Sequence, residues 1–311
     1  MYHPYFRGKQ FELITIRETA VLMAVSGFIP IIEPVKETLS GLHRALQAIC
    51  DAGGDAVVIV NPYHGDHSGD GVGISKLLQQ EFLNKTGISA GILLKEGMDV
   101  DEAFACFHQH KDHSPVFIHA GFKEPKALAE KFSTSIENTQ HVFFERHCGK
   151  LYRKHYSGSR RVLLRDGFER RRNADYPEVE AFSDLHVTYP EEGMDGFGDF
   201  LTVGDDFSEG GGPAYAVAIH LTFIDAAKDD VMDLYHFVST TNSTPVDPAG
   251  KFAQALNKLI TKLNSGTSKI FEGNAIREFR ALHEKGHFPG LGQVKKLSMI
   301  HHIETLADFF K

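Results

Sequence analysis

The sequence predicts an α/β fold, a single (β/α)8 barrel-like domain with a helical C-terminal extension. Short apolar runs alternate with segments of helical periodicity, which is the order of elements expected for a parallel sheet. The runs are continuously apolar, as in strands that are buried on both faces. About eight such units fit into roughly 225 residues, a size typical of a closed barrel. An open, doubly wound parallel sheet is the alternative that these patterns leave open.

The predicted strands are the apolar runs themselves. They begin near Ile29, Ala56, Ala90, Val116, His141, Arg161, Phe200 and Tyr215. Segments of helical pattern lie between them, for example residues 124–136, and right-handed crossovers would connect the strands in parallel. A further helix, over residues 11–25, precedes the first predicted strand, and we expect it to cover the bottom of the barrel.

Three segments divide the predicted single domain of residues 1–311. Residues 1–28 form an N-terminal segment with its helix, residues 29–240 form the barrel, and residues 241–311 form the helical extension. The chain has no low-complexity linker and no repeated motif, which favours one domain.

Composition narrows the classes of function. Hydrophobic residues make up 42% and charged residues 24% of the chain, as in ordinary soluble proteins. The net charge of −8 argues against direct nucleic-acid or anionic-membrane partners. Cys50, Cys106 and Cys148 are far apart, which favours a reducing compartment over a disulfide framework or a cysteine zinc site. With no apolar leader and no run of ~20 apolar residues, a cytoplasmic protein is expected.

Candidate functional residues lie where the predicted strands end, because active sites of this fold are at the carboxyl ends of its strands. The predicted acid/base set consists of Glu33, Lys95, His119, Glu145 and Asp205. The predicted substrate-binding residues are Asn61, Arg146, Arg165, Asp166 and Gly211. Packing of like charges in one pocket would raise the pKa of a carboxyl group. The alternative is a solvated rim with structural ion pairs, such as Glu145 with Arg165.

The opening stretch RGKQFE places Arg7, Lys9 and Glu12 close together. Arg7 could form a buried ion pair with Glu12 or reach a carboxylate elsewhere in the chain. An anion-binding role for Arg7 and Lys9 is the alternative.

The loop after the second predicted strand is dense in His, Asp and Gly. His64, Asp66 and His67 are similar to half of the H-x-H-x-D-H metal motif of metallo-β-lactamase-like hydrolases, but Pro62 stands where its first His would fall. Because tight zinc and iron sites need three or more converging ligands, no metal and no cofactor are expected. The glycines of this loop favour a mobile lid over the strand ends, and a plain surface loop is the alternative.

Two further segments have the composition of anion-binding sites. The run 165–173 contains four arginines among acidic residues, and Gly210 to Gly212 precede the eighth predicted strand, where many barrels bind phosphate. A solvated loop and a flexible linker are the respective alternatives.

Several motifs together resemble the bacterial and phage "beta protein" family. They are PYFRGKQFELITIRE, FIPIIEPVKE, GFGDFLTVGDDFSEGGGPAYAVAIHLTF, YHFVST and FPGLGQVKKLSMIHHIE. The resemblance covers most of the chain, and its RGKQ-x-E opening is the most specific part. It implies a barrel-like α/β protein connected with mobile elements or phage conflict, and it implies no particular reaction or catalytic residue.

Two functions from different classes fit these observations. The first is an enzyme of hydrolase or lyase type, acting on a small nucleotide-like or sugar-like substrate at the strand ends in a phage-defence or mobile-element context. The second is a noncatalytic scaffold or partner subunit in a multi-protein defence or toxin-control system, with a protein partner from a neighbouring gene. Convergence of the strand-end groups in one pocket would favour the enzyme, and mutual salt bridges among them would favour the partner role.

Overall fold

The chain folds into two compact units. The computed structural model describes residues 1–83, 85–132 and 138–311. The barrel unit comprises Met1–Arg165 and Thr188–Asp199, and the second unit comprises Asp166–Val187 and Phe200–Lys311. The organisation of the chain as one domain stays a prediction.

The barrel unit is built on eight parallel strands, each hydrogen-bonded to the next. They are β1 (Tyr5–Phe6), β2 (Ile31–Ile32), β3 (Ala56–Ile59), β4 (Ile88–Lys95), β5 (Val116–Ala120), β6 (Gln140–Phe144), β7 (Arg160–Leu164) and β9 (Gly196–Gly198); β8 (Val179–Ser183) belongs to the second unit. The predicted (β/α)8 barrel-like fold is therefore confirmed.

Hydrogen bonds between the first and last strands nearly close the barrel. The His3 N–H donates to Phe197 O over 2.8 Å, and the Tyr5 N–H donates to Asp199 O over 2.9 Å. A glycine in β9 is needed for this approach, because a Cβ at Gly198 would lie 2.1 Å from His3 O. The small residues of the GFG stretch thus allow the two strands to meet.

Helices follow most of the barrel strands. They are α1 (Gln10–Val25), α2 (Ser40–Asp51), α3 (Val72–Leu77), α4 (Val100–Gln109), α5 (Pro125–Lys131) and α6 (Lys150–Lys154). Local signals explain their starts: Asp99 and Glu102 form a reciprocal capping box before α4, and Pro125 occupies the first turn of α5. The predicted helix over residues 124–136 agrees with α5 as far as Lys131, and residues 133–136 of that prediction lie outside the described residues.

The first barrel strand and the role of the first helix differ from the prediction. Six predicted starts agree with β2 to β7 within two residues, but the first barrel strand is β1 rather than the run near Ile29. A strand of only two residues is too short to produce a recognisable apolar run. Because β1 pairs in parallel with β2, the helix α1 is the crossover between them and not a cover for the bottom of the barrel.

The strand predicted near Tyr215 does not belong to the barrel. It corresponds to β10 (Ala218–Asp225), which pairs antiparallel with β11 (Val231–Val238). The connection between them is too short for a parallel crossover, and Asp229 and Asp230 adopt φ of +54° and +60°, which suits a tight hairpin. The start predicted near Phe200 is wrong by four residues, because the nearest strand, β9, runs from Gly196 to Gly198. The barrel strands span Tyr5 to Gly198, so β1 precedes the predicted barrel segment 29–240 and the last barrel strand ends well before residue 240.

The second unit combines a small antiparallel sheet with helices. The sheet has the order β10, β11, β8, and the helices are α8 (Pro248–Leu263), α9 (Asn274–Lys285) and α10 (Leu291–Phe309), which confirms the helical C-terminal extension. A short helix, α7 (Leu185–Thr188), contains the point where the chain returns to the barrel unit. The hydrophobic core includes Leu221, Phe223, Phe237, Phe252 and Phe279.

No helix within residues 1–83, 85–132 and 138–311 is both long enough and apolar enough to cross a bilayer. The three cysteines are free thiols.

Candidate functional site

Glu33, at the end of β2, is the most enclosed charged group among the predicted site residues. It is fully buried. Its Oε2 accepts a hydrogen bond from the Tyr5 hydroxyl over 2.8 Å and forms an ion pair with the Arg7 guanidinium. Its Oε1 accepts the backbone N–H groups of Tyr63 and His64, at 2.8 and 3.0 Å. Both oxygens of this carboxylate are therefore occupied by donors.

The surroundings of Glu33 keep it ionised. Burial alone would raise the pKa of Glu33, but the charges of Arg7 and His64 and the hydrogen bonds from Tyr5 and the Tyr63 N–H outweigh burial and lower that pKa. The expectation that like charges would raise a carboxyl pKa at this edge is wrong for Glu33. A carboxylate held in this way cannot readily donate a proton, so its geometry suits positioning of Arg7.

The structure identifies a carboxylate that pairs with the Arg7 side chain. Its guanidinium pairs with Glu33, whereas its backbone N–H donates to Glu12 Oε2 over 2.5 Å. The Tyr5 ring lies under the guanidinium, 5.2 Å from centroid to Cζ. A buried carboxylate elsewhere in the chain, Glu33, is thus an ion-pair partner of the Arg7 side chain.

Glu145 and Arg165 form the structural ion pair that the sequence suggested as an alternative. They follow β6 and β7, and the contacts are bidentate: Nε to Oε2 is 2.6 Å, and Nη2 to Oε1 is 3.0 Å. Their side chains are 34% and 28% exposed, respectively. This parallel geometry orients the guanidinium rigidly at the strand ends.

Asn61 and Lys95 differ in how many of their polar groups are bound by other residues. Asn61 uses its side-chain amide to accept from the Leu93 N–H over 2.8 Å and to donate to Leu93 O over 3.0 Å, so it extends the pairing of β3 with β4. Lys95 Nζ lies 3.4 Å from Pro62 O and 5.7 Å from the Tyr63 ring centroid. No ion pair to Lys95 is present among the described residues.

His119 does not join these residues, which corrects the prediction that it faces the same pocket. It is buried, with Nδ1 2.8 Å from the Tyr152 hydroxyl of α6 and Nε2 2.9 Å from His141 Nδ1. Phe117, two residues earlier on β5, packs against Phe107 of α4. Because alternate residues of a strand share a face, His119 lies on the side of β5 that faces the helices.

Burial keeps this histidine pair neutral. It lowers the pKa of His119, helped by the neighbouring His141, and it lowers the pKa of His141 to about 3. Tyr156 packs against both rings, at 4.7 and 4.4 Å between centroids. The pair is part of the packing between sheet and helices.

The remaining predicted residues are dispersed. Arg146 is exposed and donates to His147 Nε2 over 2.9 Å. Asp205, Asp166 and Gly211 belong to the second unit, where the Asp205 N–H donates to Asp166 Oδ2 over 2.8 Å and Gly211 is exposed. The predicted set therefore divides between two units, and a catalytic role for its members stays a prediction.

The other anion-binding candidates are largely engaged within the second unit. Arg170 donates to Asp206 O, Arg171 pairs with Glu180 and Arg172 pairs with Asp175. Arg171 and Arg172 are thus already neutralised by carboxylates, and an anion-binding role for the run 165–173 stays a prediction. The glycines 210 to 212 have open space where a Cβ would stand.

The His- and Asp-containing loop is anchored to the segment that follows β2. Asp66 Oδ2 accepts the Glu37 N–H over 2.8 Å, and His67 Nε2 lies 3.1 Å from Lys36 O. Gly65 is required there, because its φ is +76° and a Cβ would lie 2.2 Å from Val35 O. Within residues 1–83, 85–132 and 138–311, no three His, Cys, Asp or Glu side chains are placed to bind one metal ion.

A cavity of about 450 Å³ lies at the opposite edge of the strands. Ser89, Val116, Gln140 and Arg160 line it, and these residues stand at or near the amino ends of β4 to β7. Glu33, Lys95 and the Glu145–Arg165 pair lie at the carboxyl ends. In barrels of this type the amino ends serve stability, so this cavity is a poor candidate for the site.

The second unit contains a polar cluster that the sequence analysis does not predict. His220 of β10, His236 of β11 and Glu180 of β8 form a continuous chain of hydrogen bonds, with Nδ1 to Nδ1 at 2.7 Å and Nε2 to Oε1 at 2.9 Å. The available signal was a histidine in the interior of each of two apolar strands, AIHLTFID and VMDLYHFV. Buried polar groups in strands are usually paired, so two such histidines suggest each other as partners.

A scan against models of known protein families finds no match to this chain, and a search of curated proteins finds no relative. The resemblance to the beta protein family therefore stays a prediction. A function is therefore inferred from the contacts and charges of the residues described above.

Proposed function

We propose that the barrel unit binds a small anionic molecule, of the nucleotide or sugar-phosphate kind, at the carboxyl ends of its strands. The observation that carries this proposal is the state of Lys95. It is a half-buried cation at this edge for which the described residues provide no ion pair, while Arg7 and Arg165 are each held by a carboxylate. A half-buried ammonium group without a counter-charge favours an anionic ligand.

The local charge supports an anion rather than a cation. Glu33 and Glu145 are neutralised by Arg7 and Arg165, and Glu96, the neighbour of Lys95 in the chain, is paired with Lys123. The charge of Lys95 is therefore not cancelled by these carboxylates. The two ion pairs hold their guanidinium groups in fixed orientations, so donors are in place before a ligand arrives. Glu33 is saturated and Glu145 is bound by Arg165, so binding is better supported than acid/base catalysis at this edge.

The sequence resemblance and the composition suggest the biological setting. The resemblance of the RGKQ-x-E opening and the later motifs to the beta protein family suggests a role in phage defence or in a mobile element. The acidic composition and dispersed cysteines suggest the cytoplasm as the location.

Titration calorimetry at low salt tests the binding proposal. Pyrophosphate, AMP and ribose 5-phosphate are the probes, and adenosine is the uncharged control. We expect at least one anionic probe to bind, and Lys95→Ala to weaken its binding at least tenfold, because the charge that attracts it is removed. A matched control is Lys123→Ala, since Lys123 is exposed and pairs with Glu96 over 2.6 Å. Equal binding by wild type and Lys95→Ala would refute the proposal.

A noncatalytic partner role is the second candidate, because Glu33 is held in an ion pair with Arg7 and Glu145 is held in an ion pair with Arg165. In that case none of the three anionic probes binds. Co-expression with the product of a neighbouring gene would then give a complex of fixed stoichiometry in size-exclusion chromatography. If no complex forms, the partner role is rejected.

A further inference from the structure

The cluster of Glu180, His236 and His220 lies on one face of the antiparallel sheet in the second unit. The register places His220 directly opposite His236, and Leu234, two residues before His236, opposite Glu180. Ile219, Leu221 and Phe237, which alternate with these histidines, belong to the hydrophobic core. The hydrogen-bonded chain therefore runs across three neighbouring strands on the face opposite those core residues.

Arg171 fixes one end of this chain. Its Nη1 donates to Glu180 Oε2 over 2.6 Å, and the Glu180 side chain is only 16% exposed. The ion pair holds Glu180 as a carboxylate, which can accept hydrogen bonds but cannot donate one. The contact between Glu180 Oε1 and His236 Nε2 therefore requires a proton on His236 Nε2.

The tautomer of each histidine follows from this requirement. Burial lowers the pKa of His236 despite the opposing effect of Glu180, and burial with His236 and Lys295 lowers the pKa of His220, so both rings are neutral. A neutral His236 with its proton on Nε2 has a lone pair on Nδ1. His220 must then donate from its own Nδ1, and its lone pair lies on Nε2.

The last nitrogen of the chain is available for a reaction. His220 is partly exposed, and its Nε2 has no hydrogen-bond partner among the described residues. Phe168 and Tyr176 stand beside its ring, at 5.1 and 4.8 Å between centroids. The two aromatic rings favour a flat, apolar group next to this nitrogen.

We propose that Glu180, His236 and His220 form a hydrolytic site for esters with an aromatic group, in which His220 is the general base. His220 Nε2 takes a proton from water as the water oxygen bonds to the ester carbonyl carbon. The carbonyl π electrons move to the carbonyl oxygen. When they return, the bond from carbon to the leaving oxygen breaks, and that oxygen takes the proton from His220 Nε2. The products are an acid and an alcohol or phenol.

His236 and Glu180 act through His220 and are positioning residues. The His236 Nδ1 lone pair orients the His220 ring and stabilises the positive charge that the ring carries during the reaction. Glu180 fixes the tautomer of His236. The site lies in the second unit and does not depend on the anion-binding function proposed for the barrel unit.

Hydrolysis of 4-nitrophenyl acetate by the full chain tests the proposal. We expect turnover above that of free imidazole at the same concentration, and we expect His220→Gln to lower kcat/KM about a hundredfold, the usual contribution of a general base. Glu180→Gln should lower kcat with KM unchanged. Arg171 needs the amide oxygen as its acceptor, so the amide NH2 faces His236 Nε2 and reverses the tautomer of His236, while the ester-binding surface remains. His283→Gln is the control, because His283 is exposed on α9 and outside the cluster.

Loss of folding in a variant must be separated from loss of chemistry. Circular dichroism checks each variant. A second measurement on wild type needs no variant: diethyl pyrocarbonate should modify His220 faster than His236, as located by mass spectrometry. The proposal is overturned if wild type hydrolyses the ester no faster than imidazole, if folded His220→Gln keeps full activity, or if His236 reacts before His220.

Discussion

Glu33 in the barrel unit and Glu180 in the second unit are both low-exposure carboxylates paired with an arginine, yet they lead to different chemistry. Glu33 accepts from Tyr5, Arg7 and two backbone N–H groups, all of which hold their protons firmly at neutral pH. Glu180 accepts hydrogen bonds from Arg171 and from His236. Because His236 has its proton on Nε2, its Nδ1 accepts a hydrogen bond from His220. The partner of a carboxylate, more than its burial, decides whether it can assist proton transfer.

The largest change in the free energy of unfolding is expected from a substitution of Glu33. Glu33→Gln should destabilise the protein by about 3–5 kcal/mol, because it leaves the Arg7 charge buried without its partner. Urea unfolding of wild type and variant measures this difference in free energy.

Glu145→Gln is the matched control for that experiment. Its ion pair with Arg165 is partly exposed, so the expected loss is below about 1 kcal/mol. If both variants lost the same free energy of unfolding, Glu33 would not be the enclosed structural carboxylate described here.

An effect that depends on pH is expected from the neutral histidines of the barrel unit. Burial lowers the pKa of His3 and of His141 to about 3 from an unfolded value near 6.5. Below pH 6.5 the unfolded chain therefore binds protons that the folded chain does not. Stability is full above that pH and falls by about 1.4 kcal/mol per pH unit for each such histidine as the pH drops towards 3.

His141→Phe tests the contribution of one of these groups. The variant keeps a ring beside Phe117 but has no proton to bind, so the free energy of unfolding should fall less steeply with acid than in wild type. His155→Gln, at an exposed position, should leave the slope unchanged. Parallel curves for wild type and His141→Phe would contradict the assignment.

The sequence predicted the barrel better than the second unit, for a physical reason. Continuous apolar runs such as Ala56–Ile59 indicate a strand buried on both faces, and the helices between them require parallel neighbours. The two-residue strand Tyr5–Phe6 has too little pattern to detect, and its role depends on closure with β9. The apolar run of β10 likewise indicates a strand without indicating its partner.

The candidate site shows the same limit. Strand ends can be located from sequence, so Glu33, Lys95 and Glu145 were correctly placed at the carboxyl ends of their runs. The face on which a side chain lies was not predicted, and His119 therefore was expected in a pocket although it packs against α6. The pairing of Arg7 with Glu33 and of His220 with His236 depends on the register between strands, which no local pattern contains.

The tautomers of His236 and His220 test the central claim most directly, because the contrast between the two carboxylates depends on them. Long-range proton–nitrogen NMR spectra of histidine-labelled protein at neutral pH distinguish the protonated nitrogen of each ring, and His220→Gln and His236→Gln assign the signals. The structure predicts a neutral His236 with its proton on Nε2 and a neutral His220 with its proton on Nδ1. A His220 ring protonated on Nε2, as the other tautomer or as an imidazolium, would contradict the account.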